Sequence, residues 1–206
     1  TNKMLRFSFQ QQVMLDRLLV ACRLRGVIGT FLDELFLFSN LDRGLLREYL
    51  FKSLVGWSGF FRHLAENAMF FTPPIGFFRN FVVESKGAHR DAFDIKAAMQ
   101  PIVDYARIYA LKNGIGETNT TERMNQLLAI KKISAEEHNE IVTAYSYLMQ
   151  QRMVRQVKAM VEENAAPDNY INPKKLSRIE QTMLKEIFKR IEGIQQKMSI
   201  EITGIV

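Results

Sequence analysis

Apolar positions recur at helical spacing along most of the chain. The segment "DRLLVACRLRG" has the pattern of an amphipathic helix that ends at Gly26. A second helix is predicted from about Asp42 to the double proline at 73–74, with Gly56 and Gly59 weakening its middle. The two prolines then require an extended turn, because a residue before proline avoids the helical region.

Helix starts are well marked in the second half of the chain. Asn119 precedes Glu122 by three residues, and Ser134 precedes Glu137 by the same interval, which is the spacing of a capping box. If the second of these helices continues unbroken to Glu163, it is about 40 Å long at a rise of 1.5 Å per residue. Long helices joined by short loops are therefore expected here.

The C-terminal segment repeats this pattern. Asn172 followed by Pro173 is typical of a cap and a first helical residue, and Ser177 with Glu180 repeats the capping spacing one turn later. One apolar stripe follows, made of Ile179, Met183, Ile187, Ile191, Ile194 and Met198. Only the segment 76–83 has the pattern of a short strand, and it has no evident partner. We predict an all-α fold, an up-and-down antiparallel helical bundle.

Composition narrows the function classes. With 47% hydrophobic and 24% charged residues, the chain is typical of globular proteins, and its single cysteine excludes an intrachain disulfide. The net charge of +6 is not gathered into a basic tract, which argues against a nucleic-acid partner. No apolar run is long enough to span a membrane, and the N-terminal sequence does not have a signal-peptide pattern. We therefore expect no membrane association and a cytoplasmic location.

Catalytic motifs are absent from the sequence. It has no glycine-rich phosphate loop, no Gly-x-Ser-x-Gly elbow and no Cys-x-x-Cys pair. His63, His89 and His138 are widely separated, so packing or surface roles are favoured over metal ligation. Cys22 is interpreted as a buried structural thiol, because no base can be assigned to it. We predict no catalytic residue and no metal site.

The segment "FDIKAAMQPIVDYARIYAL", residues 93–111, combines a buried helix with charged positions. Lys96, Gln100, Asp104 and Arg107 fall on one helical face. Another, apolar face contains Ile95, Met99, Ile102, Ala106 and Ala110. The spacing of Asp104 and Arg107 alone favours a solvated ion pair, and the alternative is a binding site. Pro101 leaves open whether the helix starts there or earlier.

Two further polar clusters have the same ambiguity. Asn119, Thr120, Glu122 and Arg123 gather at a helix start, where capping is the simpler interpretation and anion binding the alternative. Arg152 lies close to the apolar face of the next helix. Because an unpaired buried charge is costly, Arg152 needs either a carboxylate partner or a ligand.

These clusters occur in an order that resembles a known family. The series "FDIKAAMQPIVDYARIYAL…GIGETNTTERMNQL…LMQQRMVRQ…PDNYINPKKLSRIEQTMLKEIF" is similar to the nucleotidyltransferase substrate-binding domain. That domain is the C-terminal helical module of bacterial signal-transduction proteins. There it follows a uridylyltransferase-like domain, often with CBS and cyclic-nucleotide-binding-like modules upstream. The resemblance covers about residues 57–198.

The family's motifs match this sequence at defined positions. The Asp-x-Lys element matches Asp94 and Lys96, and the Pro-Ile-Val-Asp-x-Ala-Arg element matches residues 101–107. The remaining elements match Asn119, Thr120 and Arg123; Arg152 and Gln156; and Asp168, Asn169, Ile171 and Pro173. The resemblance makes the polar side of the helix at 101–112 a candidate site.

The resemblance implies a substrate-binding and regulatory role beside a nucleotidyltransferase domain, in cis or in trans, with a PII-like protein as one conceivable acceptor. The expected substrate-binding residues lie on separate helices and surround one hollow. Lys96, Arg107, Arg123 and Arg152 would contact an anion. Asp94 and Asp104 would orient the arginines, Asn119 and Thr120 would offer further polar donors, and Gln156 completes the set.

The chain itself is expected to be non-catalytic. Phosphoryl transfer needs spaced acidic residues that hold Mg²⁺, and nothing in residues 1–56 supplies them. Mg²⁺ and a nucleoside triphosphate are therefore expected only in an adjoining catalytic domain. We interpret residues 1–56 as an N-terminal helical segment, the remnant of such a domain, and residues 57–206 as the substrate-binding bundle.

An alternative of another class is a dimerising interaction scaffold without a role in nucleotide transfer. The first third of the chain is rich in phenylalanine, more than a lone helix pair can evidently bury, and large exposed apolar patches usually mark interfaces. These residues are Phe31, Phe36, Phe38, Phe51, Phe60 and Phe61.

Overall fold

The computed structural model describes residues 43–54 and 57–204, which belong to two compact units that divide after Asn67. Helix α1 is Arg43–Leu54 and helix α2 is Ser58–Ala68. The single helix predicted from Asp42 is therefore two helices, and the break falls beside the predicted weak point at Gly56. The helix predicted to end at Gly26, and Cys22, lie outside the described residues. The predicted domain boundary between residues 56 and 57 stays a prediction.

The second unit contains four longer helices. They are α3 (Ile95–Lys112), α4 (Thr120–Ala129), α5 (Ala135–Val161) and α6 (Arg178–Met198). A short 3₁₀ helix at Pro173–Lys175 and a π-helical turn at Ser199–Thr203 flank α6. Helix α3 packs against α4, α5 and α6 and is therefore central. The all-α fold class is confirmed, and the up-and-down order of the bundle stays a prediction.

Helix α3 is central because most of its surface is apolar. Tyr105, Ile102 and Ile108 are fully buried, and they share the core with Phe188, Leu127 and Ile141 from the three neighbouring helices. The helix begins at Ile95 and passes through Pro101, so Lys96 lies within its first turn. Its start is fixed by Asp94, whose side chain caps the first free backbone N–H groups.

A two-stranded pairing connects the start of α3 to the loop that precedes α6. Strand β1 (Phe93–Asp94) pairs antiparallel with β2 (Tyr170–Ile171), with Asp94 opposite Tyr170. The strand predicted at 76–83 is not formed. That segment has one isolated bridge, between Ile75 and Phe81, and a turn in which the Gly76 N–H donates to the Asn80 carbonyl over 2.8 Å.

The predicted helix caps are largely confirmed. The side-chain oxygens of Asn119 and Ser134 accept from backbone N–H groups at 3.1 and 3.0 Å. Ser177 and Glu180 form a complete capping box. The box predicted at Ser134 is only half formed, because Glu137 instead accepts hydrogen bonds from Tyr105 and Lys197 at 2.7–2.8 Å.

The apolar stripe of α6 is buried only in part. Ile187, Ile191 and the later members are buried, whereas Ile179 is 77% exposed and Met183 is also exposed. The apolar pattern therefore predicted the helix correctly but not how far its packing extends. None of the described helices is both long and apolar enough to cross a membrane.

Candidate functional site

Helix α3 has one open face. Lys96 is exposed, and Gln100 and Arg107 are partly exposed along the same side of the helix. The opposite face is buried throughout, as predicted, at Ile95, Met99, Ile102, Ala106 and Ala110. Lys96 and Arg107 are eleven positions apart, which separates them by about 16 Å along the helix axis. The open face is thus a polar stripe with a positive charge near each end.

Asp104 lies at the buried edge of this stripe. It is 8% exposed and accepts from Gln100 Nε2 at 3.0 Å and from Arg107 Nη1 at 3.4 Å. Burial raises the pKa of the Asp104 carboxyl, while Arg107 and Gln100 oppose that shift. With side-chain exposures of 18% and 11%, Arg107 and Asp104 are not a solvated surface pair. Arg107 donates to no other described residue, so most of its N–H groups are available.

Asp94 has a different role from the one expected. Its Oδ1 accepts from the backbone N–H groups of Lys96 and Ala97 at 2.8 and 3.3 Å. It forms no ion pair with an arginine of the described chain, because the start of α3 needs the carboxylate as its cap. Asp94 therefore positions Lys96 through the backbone.

Asn169 connects α5 to the start of α3. Its side-chain Oδ1 accepts from Arg152 Nε at 2.9 Å and from Gln156 Nε2 at 3.0 Å. Its backbone carbonyl accepts from the Ile95 N–H at 2.9 Å. The structure thereby gathers four predicted residues around one loop: Asp94, Lys96, Arg152 and Gln156.

The charge of Arg152 has no carboxylate partner among the described residues. Its one hydrogen bond goes to a neutral amide and uses Nε, so both terminal nitrogens donate to no described residue. Arg152 is partly exposed rather than buried, and so its charge does not require a counterion inside the protein. The sequence left two possible partners for Arg152, a carboxylate or a ligand. The described residues supply no carboxylate partner.

Arg155, which was not among the predicted site residues, forms ion pairs with two nearby carboxylates. It donates to both oxygens of Asp168, at 2.9 and 2.5 Å, and to both oxygens of Glu163, at 2.7 and 3.0 Å. These bonds lower the pKa of Asp168 and of Glu163. Arg155 therefore fastens the loop that carries Asn169. The signal was present in the arginine of "MVRQ", but spacing alone does not show which arginine faces the returning loop.

The third predicted cluster lies at the start of α4. Asn119 caps the helix, and Thr120 is buried. Arg123 Nε donates to the Glu117 carbonyl at 2.7 Å and so turns toward the preceding loop. The capping interpretation is confirmed for Asn119, and anion binding at this cluster stays a prediction.

The described part of the second unit includes two sizeable cavities. One, of about 930 Å³, borders Asp94 and the segment 69–84. The other, of about 800 Å³, lies between α5 and α6. Of the predicted residues only Asp94 lines either cavity, so the others do not form the walls of these two hollows.

The described residues contain no group of three or more histidine, cysteine, aspartate or glutamate side chains placed to hold a metal ion. The histidines have other contacts. His63 lies 3.1 Å from Glu66, His138 lies 2.9 Å from Asn125, and His89 stacks on Tyr170.

A helical unit with available arginine donors on its surface has the character of a binding module. A model of the family described as "Putative nucleotidyltransferase substrate binding domain" matches residues 58–202. The chain belongs to this family. No curated protein and no solved structure was found to match it.

Proposed function

We propose that this domain holds an anionic part of a substrate beside a nucleotidyltransferase active site. The contacts are the donors of Lys96, Arg107 and Arg152, with Arg123 and the capped start of α4 extending the same function. Guanidinium groups suit phosphate because two parallel N–H donors match two phosphate oxygens. The domain positions the substrate, and another domain transfers the nucleotidyl group.

The single observation that carries this proposal is the pairing of Arg152 with a neutral amide. Its neighbour Arg155 engages two carboxylates, whereas Arg152 keeps its charge and both terminal nitrogens available to a ligand. Asn169, whose side chain also accepts from Gln156, holds the Arg152 side chain in place, so less freedom is lost when an anion binds.

The wider setting is part of the same proposal. The resemblance supports a protein-PII uridylyltransferase-like role in bacterial signal transduction, with a PII-like protein as acceptor. Mg²⁺ and the nucleoside triphosphate would be held by the adjoining catalytic domain, and the reaction chemistry would take place there.

The test is calorimetric titration of the 206-residue chain with UTP. Arg107→Ala and Arg152→Ala should each weaken binding about tenfold, because a charge-assisted hydrogen bond contributes about 1.5–3 kcal/mol. Arg178→Ala is the matched control, since it removes an equal charge from an exposed position on α6. Unchanged binding together with a large loss of thermal stability would make Arg107 and Arg152 structural residues instead.

A dimerising scaffold is the second candidate, and a specific surface favours it. The C-terminal half of α5 exposes about half of each of four apolar side chains, Met153, Val154, Val157 and Met160. Exposed apolar patches of this kind usually mark interfaces. Of the phenylalanines first expected to form the interface, Phe60 is buried and Phe51 and Phe61 are partly exposed, while Phe31, Phe36 and Phe38 lie outside the described residues.

A further inference from the structure

We infer that the larger of these two cavities is a separate binding site for a small organic cation, an ammonium group joined to an apolar body. The cavity holds about 930 Å³ and lies between the segment 69–84, the start of α3 and the C-terminal part of α6. This volume is within the range of small-molecule sites. The inference does not depend on the anion contacts of the proposed function.

The walls of the cavity are suited to an apolar body. Pro73, Pro74 and Ile75 form one side, and Phe93 and Ala98 form the other. The proline pair gives its side a rigid backbone, and the small side chain of Ala98 leaves room at the base of α3. Apolar walls with a few polar groups are the usual composition of a ligand pocket.

Gln195 supplies a fixed hydrogen-bond acceptor. It lines the cavity, is 7% exposed, and donates through Nε2 to the backbone carbonyls of Phe71 at 2.7 Å and Ala68 at 3.4 Å. Both donors of its amide are therefore committed, while Oε1 accepts from no described residue. This oxygen is not among the fully buried unpartnered atoms of the described chain, so it remains accessible. A ligand with an N–H group can reach it through the cavity.

The charges of the lining select a cation. Glu84, Asp94 and Glu192 border the cavity, and no lysine, arginine or histidine does. Oδ1 of Asp94 is occupied by the start of α3, but Glu84 and Glu192 are exposed at the rim and form no ion pair with a described residue. A rim of carboxylates around an inner carbonyl favours an ammonium group and repels an anion.

The experiment compares two probes of similar shape and opposite charge, phenethylammonium and 3-phenylpropionate, by calorimetric titration of the 206-residue chain. We expect the amine to bind at least tenfold more tightly. Replacing both rim carboxylates, Glu84→Gln with Glu192→Gln, should weaken amine binding about fivefold to tenfold, because each partly screened contact contributes a modest factor. Glu186→Gln, an exposed carboxylate of α6 outside this cavity, is the matched control and should change nothing.

Ala97→Trp, at the edge of the cavity, tests its volume, with folding checked by circular dichroism. This substitution should abolish amine binding. If the variant does not fold, the double variant Glu84→Gln with Glu192→Gln still tests the site. The inference would be overturned if the acid and the amine bound equally well. It would also be overturned if the double carboxylate variant bound the amine as tightly as the unmodified chain. Arg107→Ala should leave amine binding unchanged, so failure here is distinct from failure of the proposed anion site.

Discussion

Arg152 and Arg155 lie three residues apart on the same helix and have different electrostatic surroundings, a neutral amide for the first and two carboxylates for the second. The sequence required Arg152 to have either a carboxylate or a ligand, and the structure gives the carboxylates to Arg155. Helical spacing places both arginines near one side of α5, but it does not specify where the loop at 163–169 returns. The role of Arg155 could therefore not be predicted, and the burial that was expected to make a partner necessary for Arg152 is only partial.

The buried carboxyl of Asp104 should make the stability of the protein depend on pH. Because burial raises its pKa above the unfolded value, ionised Asp104 destabilises the fold as the pH rises through that raised pKa. Asp104→Asn keeps an acceptor for Gln100 and should stabilise the protein by about 1 kcal/mol at pH 7. The gain should shrink as the pH falls from the raised pKa towards about 4, and it should be absent below about 4, where the carboxyl is protonated in both the folded and the unfolded chain. Urea denaturation at pH 7 and pH 3.5 measures both values.

A destabilised Asp104→Asn variant at pH 7 would contradict this account of the pair. It would mean that attraction between Asp104 and Arg107 exceeds the cost of burying the carboxylate. Gln100→Ala is the control, since it removes one hydrogen bond to the Asp104 carboxylate without changing the charge.

Individual helices were predicted better than their connections. The two faces of α3, the cap at Asn119 and the complete box at Ser177 follow from spacing and local hydrogen bonding, so sequence suffices. Glu137 was expected to complete a local cap and instead joins Tyr105 and Lys197, residues far away in sequence. Long-range partners of this kind override local preference, and periodicity contains no information about them.

The Asp94 side chain caps the start of helix α3, and substitutions at this position test how much the cap stabilises the helix. Asp94→Ala removes the acceptor for two backbone N–H groups and should lower the free energy of unfolding by about 1 kcal/mol. Asp94→Asn should retain most of the stability, because asparagine caps as well as aspartate. Thermal unfolding followed by circular dichroism measures both variants. Equal stability of the alanine variant and the unmodified chain would show that Asp94 is not an effective cap.

For the whole molecule, the sequence predicted the all-α class and the family, and the family match confirms the second. It did not predict the β1–β2 pairing, since two-residue strands have no periodic pattern. That pairing brings the start of α3 to the loop at 168–171, and so it assembles part of the candidate site. The pairing does not include Arg107, Asn119 or Arg123, and charge and spacing alone do not determine how their helices pack.

The scaffold candidate makes a prediction about mass. A dimer through the exposed apolar side of α5 should give twice the 23.9 kDa chain mass in light scattering. Val157→Glu should return it to a monomer, because a charge would be buried in an apolar interface. Lys158→Glu, a charge change at an exposed neighbouring position, is the control. A mass of 23.9 kDa at all concentrations would remove the scaffold candidate.

The central claim is that the open face of α3 and the side chain of Arg152 bind phosphate. Nuclear magnetic resonance of the ¹⁵N-labelled chain during titration with UTP, and separately with uridine, tests it most directly. We predict that UTP shifts the Arg152 Nε–H signal and the amides of Lys96, Arg107 and Asn169, and that uridine does not. Shifts confined to the cavity beside Gln195, or identical shifts with both compounds, would contradict the account.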